Sequence, residues 1–215
     1  MGGRGPAPEG EGASVRTLPF TGGDEELLEG LRAGRAPAIA AFYDRFAGLV
    51  LRVLARVLGT DAEIADIHHD VFERALASVS GVRSAAGLKP WIVGVTVHTA
   101  RGVIRRRTRR RWLVLLGPEE SPEPVDEGVS PEVRQALRAT YAILCTLTAD
   151  ERIPFALRVI EGMELTEVAA ACGTSLATIK RRLYAAQERF AERARAHPAL
   201  ADWMEGGGGW RRKSR

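Results

Sequence analysis

Between Gly117 and Pro131 the sequence reads Gly-Pro-Glu-Glu-Ser-Pro-Glu-Pro-Val-Asp-Glu-Gly-Val-Ser-Pro. Proline fixes φ and has no amide hydrogen, so neither a helix interior nor a central strand passes through such a stretch. Pro118, Pro122, Pro124 and Pro131 recur within it, and Glu119, Glu120, Glu123, Asp126 and Glu127 have no basic residue among them. The segment therefore reads as a self-repelling linker, placed at residues 114–131. It divides the 215-residue chain into two units.

Both units have helical periodicity. Ile39, Phe42, Tyr43, Phe46, Leu49, Val50, Val53, Leu54 and Val57 recur at steps of three and four, which predicts an amphipathic helix with these residues inward. Pro37 suits its first turn and Gly59 its end. Asp24 is a plausible cap ahead of Leu27, Leu28 and Leu31. Thr60 with Glu63 reads as a capping box for a second long helix, with Ile64, Ile67, Val71, Ala75 and Leu76 inward. A third helix, starting around Lys89–Trp91, carries Trp91, Ile92, Val95, Thr99 and Val103 inward and then turns basic. Past the linker, helices are expected at Val133–Thr146, Asp150–Gly162, Leu165–Ala171 and Ser175–Ala196. Thr148 and Glu151 form a capping box, and Pro154 demands a kink or a delayed start. No strand pattern or internal repeat emerges. The expected fold is all-α, with helical domains at 24–113 and 132–205. A disordered leader (1–23) and a flexible basic tail (206–215) flank them.

Composition excludes several classes. With 45% hydrophobic and 27% charged residues the chain is neither wholly disordered nor collagen-like. Cys145 and Cys172 form no CxxC pair, which argues against a disulfide scaffold and a Cys-rich zinc site and fits a reducing cytoplasm. The apolar run Trp112–Leu116 is far too short to span a bilayer, and Met1–Glu11 lacks the apolar core of a signal peptide. No phosphate-cradling loop, nucleophile elbow or supported carboxylate pair is present, so neither catalytic residues nor a cofactor is expected.

Three segments carry functional chemistry. In Thr166–Leu183, Ala169, Gly173 and Ile179 have helix-turn-helix spacing, with Gly173 at the left-handed turn and Ser175 as cap. At 100° per residue, Ile179, Leu183, Ala186 and Phe190 share a buried face. Ala177, Thr178, Arg181, Tyr184 and Ala185 lie opposite, flanked by Lys180 and Arg182. Small or hydrogen-bonding residues edged by cations suit a DNA groove; the alternative is a hairpin with a solvated basic face. Arg101, Arg105, Arg106, Arg107, Arg109, Arg110 and Arg111 place seven arginines within eleven residues. Such density exceeds what a helix C-terminal dipole needs and suits phosphate neutralisation. Beside it, Trp91 is either a core residue or a platform for an unpaired base. Finally, in Asp66–Glu73, His68 and His69 point about 100° apart, which argues against a shared metal. Asp66, His69, Asp70 and Glu73 make a partner surface or a plain solvated face.

Taken together, these pieces resemble the extracytoplasmic-function sigma factors of bacterial RNA polymerase. The resemblance spans about Leu27–Arg111 and Leu137–Arg193. It rests on Leu31–Arg35 with Ala41–Phe46, on Asp66–Ala75, and on Lys89-Pro90-Trp91-Ile92 followed by Arg105–Arg107. In the second unit it rests on Leu147 with Asp150–Arg152, Glu161–Met163, Glu167–Ala169 and Thr178–Leu183. It implies a cytoplasmic, nucleoid-associated initiation factor that binds core polymerase at the β′ clamp helices and the β flap, and also promoter DNA. An anti-sigma factor is a further implied partner. Asp66, His69, Asp70, Val71, Phe72 and Glu73 would bind core. Trp91, His98, Arg101, Arg105, Arg106, Arg107, Arg109 and Arg110 would hold the −10 element and melted strand. Ser175, Thr178, Lys180, Arg181, Arg182 and Tyr184 would face the −35 element. His69, Val97, His98 and Gly102 depart from the family pattern, where Gln, Arg, Asn and an acidic or amide residue are usual. The departures bear on −10 preference and melting. The alternatives are a helix-turn-helix regulator binding as a dimer and a sigma-like protein that does not melt promoters.

Overall fold

The computed structural model describes residues 20–59, 62–114 and 130–205. Expectations for the leader up to residue 19, the linker at 115–129, the tail and Thr60 lie outside the described residues. The first unit consists of α1 (Asp24–Arg32), α2 (Ala36–Leu58), α3 (Ile64–Ser78) and α4 (Leu88–Val114), with two short 3-10 turns ahead of α4. The second consists of α5 (Pro131–Cys145), α6 (Ala149–Phe155), α7 (Leu165–Ala171), α8 (Leu176–Arg195) and α9 (Pro198–Glu205). No strand occurs among the described residues.

Local chemistry explains most boundaries. Gly59 closes α2 at φ 88°, a left-handed conformation that favours glycine. Ser130 caps α5, accepting a hydrogen bond from the Val133 amide. The expected Thr148–Glu151 box is formed: the Thr148 amide donates to Glu151 Oε2 at 3.2 Å. Pro154 acts as expected of a proline inside a helix. α6 stops at Phe155, and a π-helical turn, Ala156–Ile160, replaces the single helix expected to reach Gly162.

Three expectations are corrected. Glu63 does not serve at the third position of α3; it directly precedes the helix, and its carboxylate accepts a hydrogen bond from Arg107 at 2.7 Å. Packed structure begins before Asp24, because Phe20 is half-buried against the core. Tyr43, expected inside, is 43% exposed, at the edge of the α2 apolar stripe.

α4 organises the interior. Phe42 of α2 is fully buried, with its ring centroid 5.5 Å from Phe72 and 6.0 Å from Trp91. Burying such a side chain stabilises by about 1.5–3 kcal/mol, an upper figure because the unfolded chain already hides some surface. One apolar cluster runs from α1–α4 into Ile153, Leu157, Val168, Ala171, Cys172 and Ile179. The two units are separate in sequence but share this seam in space. Tyr141 of α5 donates to the Ala55 carbonyl of α2 at 2.8 Å. Glu161 faces Arg52 at 3.6 Å and Arg56 at 3.7 Å.

Candidate nucleic-acid interface

α7 and α8 form the expected hairpin. Gly173 takes φ 61° between them, and the Thr174 amide donates to the Ala169 carbonyl at 3.0 Å. The Thr178 amide then donates to Ser175 Oγ at 3.2 Å, capping α8. Ile179, Leu183, Ala186 and Phe190 are buried, and Phe190 stacks on Phe155 at 4.9 Å. Glu151 of the α6 cap also accepts from Arg189, fastening α8 to α6. This rigid seating leaves Lys180, Arg181 and Tyr184 exposed on the opposite face, Tyr184 by 61%. Small Ala177 leaves room for close approach beside them. Thr178 is half-buried, and the hydroxyls of Ser175 and Thr178 lie 3.0 Å apart.

Arg182 is not presented in the same way. Its Nη2 lies 3.3 Å from Asp150 Oδ2, while Arg101 of α4 approaches Oδ1 of the same carboxylate at 3.5 Å. Two arginines expected on DNA, one from each unit, therefore share one internal counter-ion. Neither Arg101, expected on the melted strand, nor Arg182, expected on the −35 face, stands free here: both hold the seam. Arg107 is likewise paired, with Glu63, and its hydrogen bond and charge hold that carboxyl below its ordinary range. Arg105, Arg106, Arg109 and Arg110 are exposed at the end of α4; the Arg111 side chain lies outside the described residues. His98 is also exposed. Trp91 is half-buried against Phe42, so its ring supports the core rather than standing free.

The outward face of α3 adjoins the basic end of α4. Asp66, Asp70, Arg106, Arg107 and Arg110 line one cleft of about 330 Å³, and the carboxylates offset the arginines' mutual repulsion. His69 contacts Glu73 at 3.2 Å, whereas His68 turns inward to the Ala47 carbonyl at 3.1 Å. Two expected partner contacts are corrected: Val71 is fully buried and Phe72 is 5% exposed, because both point into the α2–α3 core. The sequence reading missed Tyr43, whose exposed ring packs 4.7 Å from Phe72 and extends the α3 face. Its place at the margin of the α2 stripe, next to Asp44 and Arg45, is the signal that marks it.

A long basic helix in one unit and a seated helix-turn-helix in the other define a two-part, helical nucleic-acid-binding protein. Family models agree with the division: residues 42–110 match Sigma-70 region 2, and residues 132–189 match Sigma-70 region 4. The chain is 22% identical to the ECF RNA polymerase sigma-E factor of Haemophilus influenzae, over 77% of this chain and 92% of that protein. It is also 22% identical to the RNA polymerase sigma-H factor of Pseudomonas aeruginosa, over 77% of this chain and 90% of that one. The fold is similar to that of CnrH, solved in complex with the cytosolic domain of CnrY. The TM-score is 0.57 at 20% identity, covering 80% of this chain and 97% of CnrH. The chain belongs to the sigma-70 family, in its extracytoplasmic-function branch.

Proposed function

We propose that this protein directs core RNA polymerase to promoters by reading two DNA elements with its two units, while polymerase performs the chemistry. The observation that carries the reading is the pairing, in one chain, of a firmly seated recognition helix exposing Lys180, Arg181 and Tyr184 with a second basic helix. The first face suits the major groove of a −35 duplex. Arg105, Arg106, Arg109 and Arg110, with His98 upstream on α4, suit the phosphates and bases of a melted −10 strand. Asp66, His69, Asp70 and Glu73 form the surface for the β′ clamp helices, with Tyr43 beside them; the second unit meets the β flap. An anti-sigma protein is the natural regulatory partner, and the cytoplasm is the place of action. Simultaneous reading of both elements requires the seam to part, since it holds Arg101 and Arg182.

Run-off transcription with purified core polymerase on a promoter library tests this. Defined start sites that depend on the added chain are expected. Asp70→Arg should abolish co-purification with core while the full-length variant still shifts a −35 duplex. Core binding of that variant at the wild-type level removes α3 from the interface, and transcription indifferent to the chain removes the function.

A further inference from the structure

Cys145, the last residue of α5, is half-buried, and Arg152 of α6 points at it, Nη1 lying 3.5 Å from Sγ. Arg152 is 5% exposed, and its Nε and Nη2 have no hydrogen-bond partner. Several exposed or half-buried arginines have a carboxylate: Arg52 and Arg56 share Glu161, Arg101 and Arg182 share Asp150, and Arg189 has Glu151. Arg152, more deeply buried than any of these, has none among the described residues. Among its neighbours Arg107 works against its charge, while Cys145 and, less strongly, Tyr141 favour it. Burial accordingly pulls Arg152 below its ordinary range, while the Cys145 sulfur opposes that shift. A guanidinium keeps its charge in proteins, so an uncompensated one in the interior is costly. An anion bonded to Cys145 would supply both the missing counter-charge and acceptors for the idle donors.

We propose that Cys145 is a peroxide-modification site, with Arg152 as the positioning residue that receives the oxidised sulfur. A hydroperoxide transfers one oxygen to Sγ: the S–O bond forms as the O–O bond breaks. Sulfur is oxidised by two electrons, the peroxide is reduced to water or an alcohol, and the thiol proton leaves with that product. The sulfenic acid then gives up its own proton to water, and the sulfenate oxygen accepts from the Arg152 guanidinium. Cys172 is the internal control. It is 6% exposed, and burial pushes its thiol up against the opposing charges of Arg101 and Arg182, so its sulfur is shut away from a peroxide where that of Cys145 is less so. The inference stands apart from promoter reading, since it concerns chemistry on the free chain.

The test treats the full-length protein with hydrogen peroxide and traps sulfenate with dimedone, read residue by residue by mass spectrometry. Native Cys145 should label about tenfold faster than native Cys172 and than Cys145 in the urea-unfolded chain, as expected when a cation stabilises the oxidised sulfur. Arg152→Met should remove that advantage, and Arg152→Lys should retain part of it. Circular dichroism establishes that each variant is helical; for a variant that is not, the native-against-urea comparison decides alone. The proposal is overturned by a native Cys145 rate at or below the urea rate. It is equally overturned by a folded Arg152→Met protein that labels like the wild type, or by a Lys variant no faster than Met.

Discussion

α4 and α8 have similar cationic side chains but differ in their surroundings. α8 is amphipathic in the simple sense: one stripe is buried and the other is exposed from Ala177 to Tyr184. α4 is buried on more than one side. Ile92, Val93, Thr96, Val97, Thr99, Ala100, Val103 and Ile104 are all buried, because α2 and α3 cover one side and α6 and α7 another. A helix supported on one side keeps a face ready for a ligand. A helix shared by two cores must be uncovered first, and among its described residues Lys89, His98, Arg105, Arg106, Arg109 and Arg110 are exposed beforehand. Under the proposed function, duplex reading by α8 would need no rearrangement, whereas strand capture by α4 would be linked to separating the units.

The sharpest way to break this contrast is to charge the covered side of α4. Gly94, Val97, Arg101 and Ile104 fall within about one face at 100° per residue. Gly94 lies against α7, where an added Cβ would stand 3.9 Å from the Ala171 carbonyl, and Arg101 faces Asp150. Val97→Arg puts an unpaired charge into this apolar seam, at a cost of about 3–5 kcal/mol if the seam stays closed. The expected outcome is that the units part, read as a larger radius of gyration in small-angle scattering and tighter binding of single-stranded −10 DNA. An unchanged radius with unchanged stability would mean α4 is not held by the second unit. Next in size is Arg181→Ala, which should weaken −35 duplex binding by about 1–3 kcal/mol. It should leave single-strand binding intact; a titration indistinguishable from wild type removes Arg181 from the recognition face.

The two helices also show what a sequence exposes and what it conceals. The α8 face was legible because its period, its Gly173 turn and its Ser175 cap are local features within about twenty residues. The all-helical class and most boundaries were legible for the same reason. The shared partner of Arg101 and Arg182 was not, since Asp150 is distant in sequence from both and nothing local to the start of its helix points to either. Val97, where the family pattern has arginine, was a departure bearing on −10 preference; the packing adds what the string could not, that it is buried in the core around α4. Val71 already fell on the inward face of α3 by its period, but Phe72 fell next to the polar residues in the string, and the packing of α2 shows that it too points inward. Pro154 announced a disruption, but the π-helical form it took depends on tertiary packing.

A smaller change sharpens the comparison at the counter-ion itself. Asp150→Ala removes the carboxylate shared by Arg101 and Arg182, whose side chain is 39% exposed. Because water screens such a pair, the expected loss of stability is about 1 kcal/mol or less by urea unfolding. Affinity for non-specific duplex DNA should rise, with a steeper dependence on salt, because two more arginines can displace counter-ions. A salt slope identical to wild type would show that these arginines never reach phosphate.

The smallest expected effect concerns Glu63, the partner of Arg107. The Arg107 hydrogen bond and charge hold the Glu63 carboxyl below its ordinary value of 4.5, with Arg110 and Arg106 adding to the pull and slight burial opposing it. A carboxyl whose folded value is depressed binds its proton more readily in the unfolded chain. Its stabilisation is therefore fully present above the unfolded value and is lost as pH falls through the folded one. The group is largely exposed, so the contribution is only a few tenths of a kcal/mol. Glu63→Gln should reduce the loss of stability on acidification below about pH 4.5, leaving the slope between pH 6 and 8 unchanged. It should also release Arg107 toward phosphate, adding slightly to single-strand affinity at low salt. If the acid limb matches wild type while that affinity rises, Glu63 restrains Arg107 without stabilising the fold. If both are unchanged, Arg107 is held by the rest of the basic helix, and the α3–α4 cleft contributes nothing to the difference between the two helices.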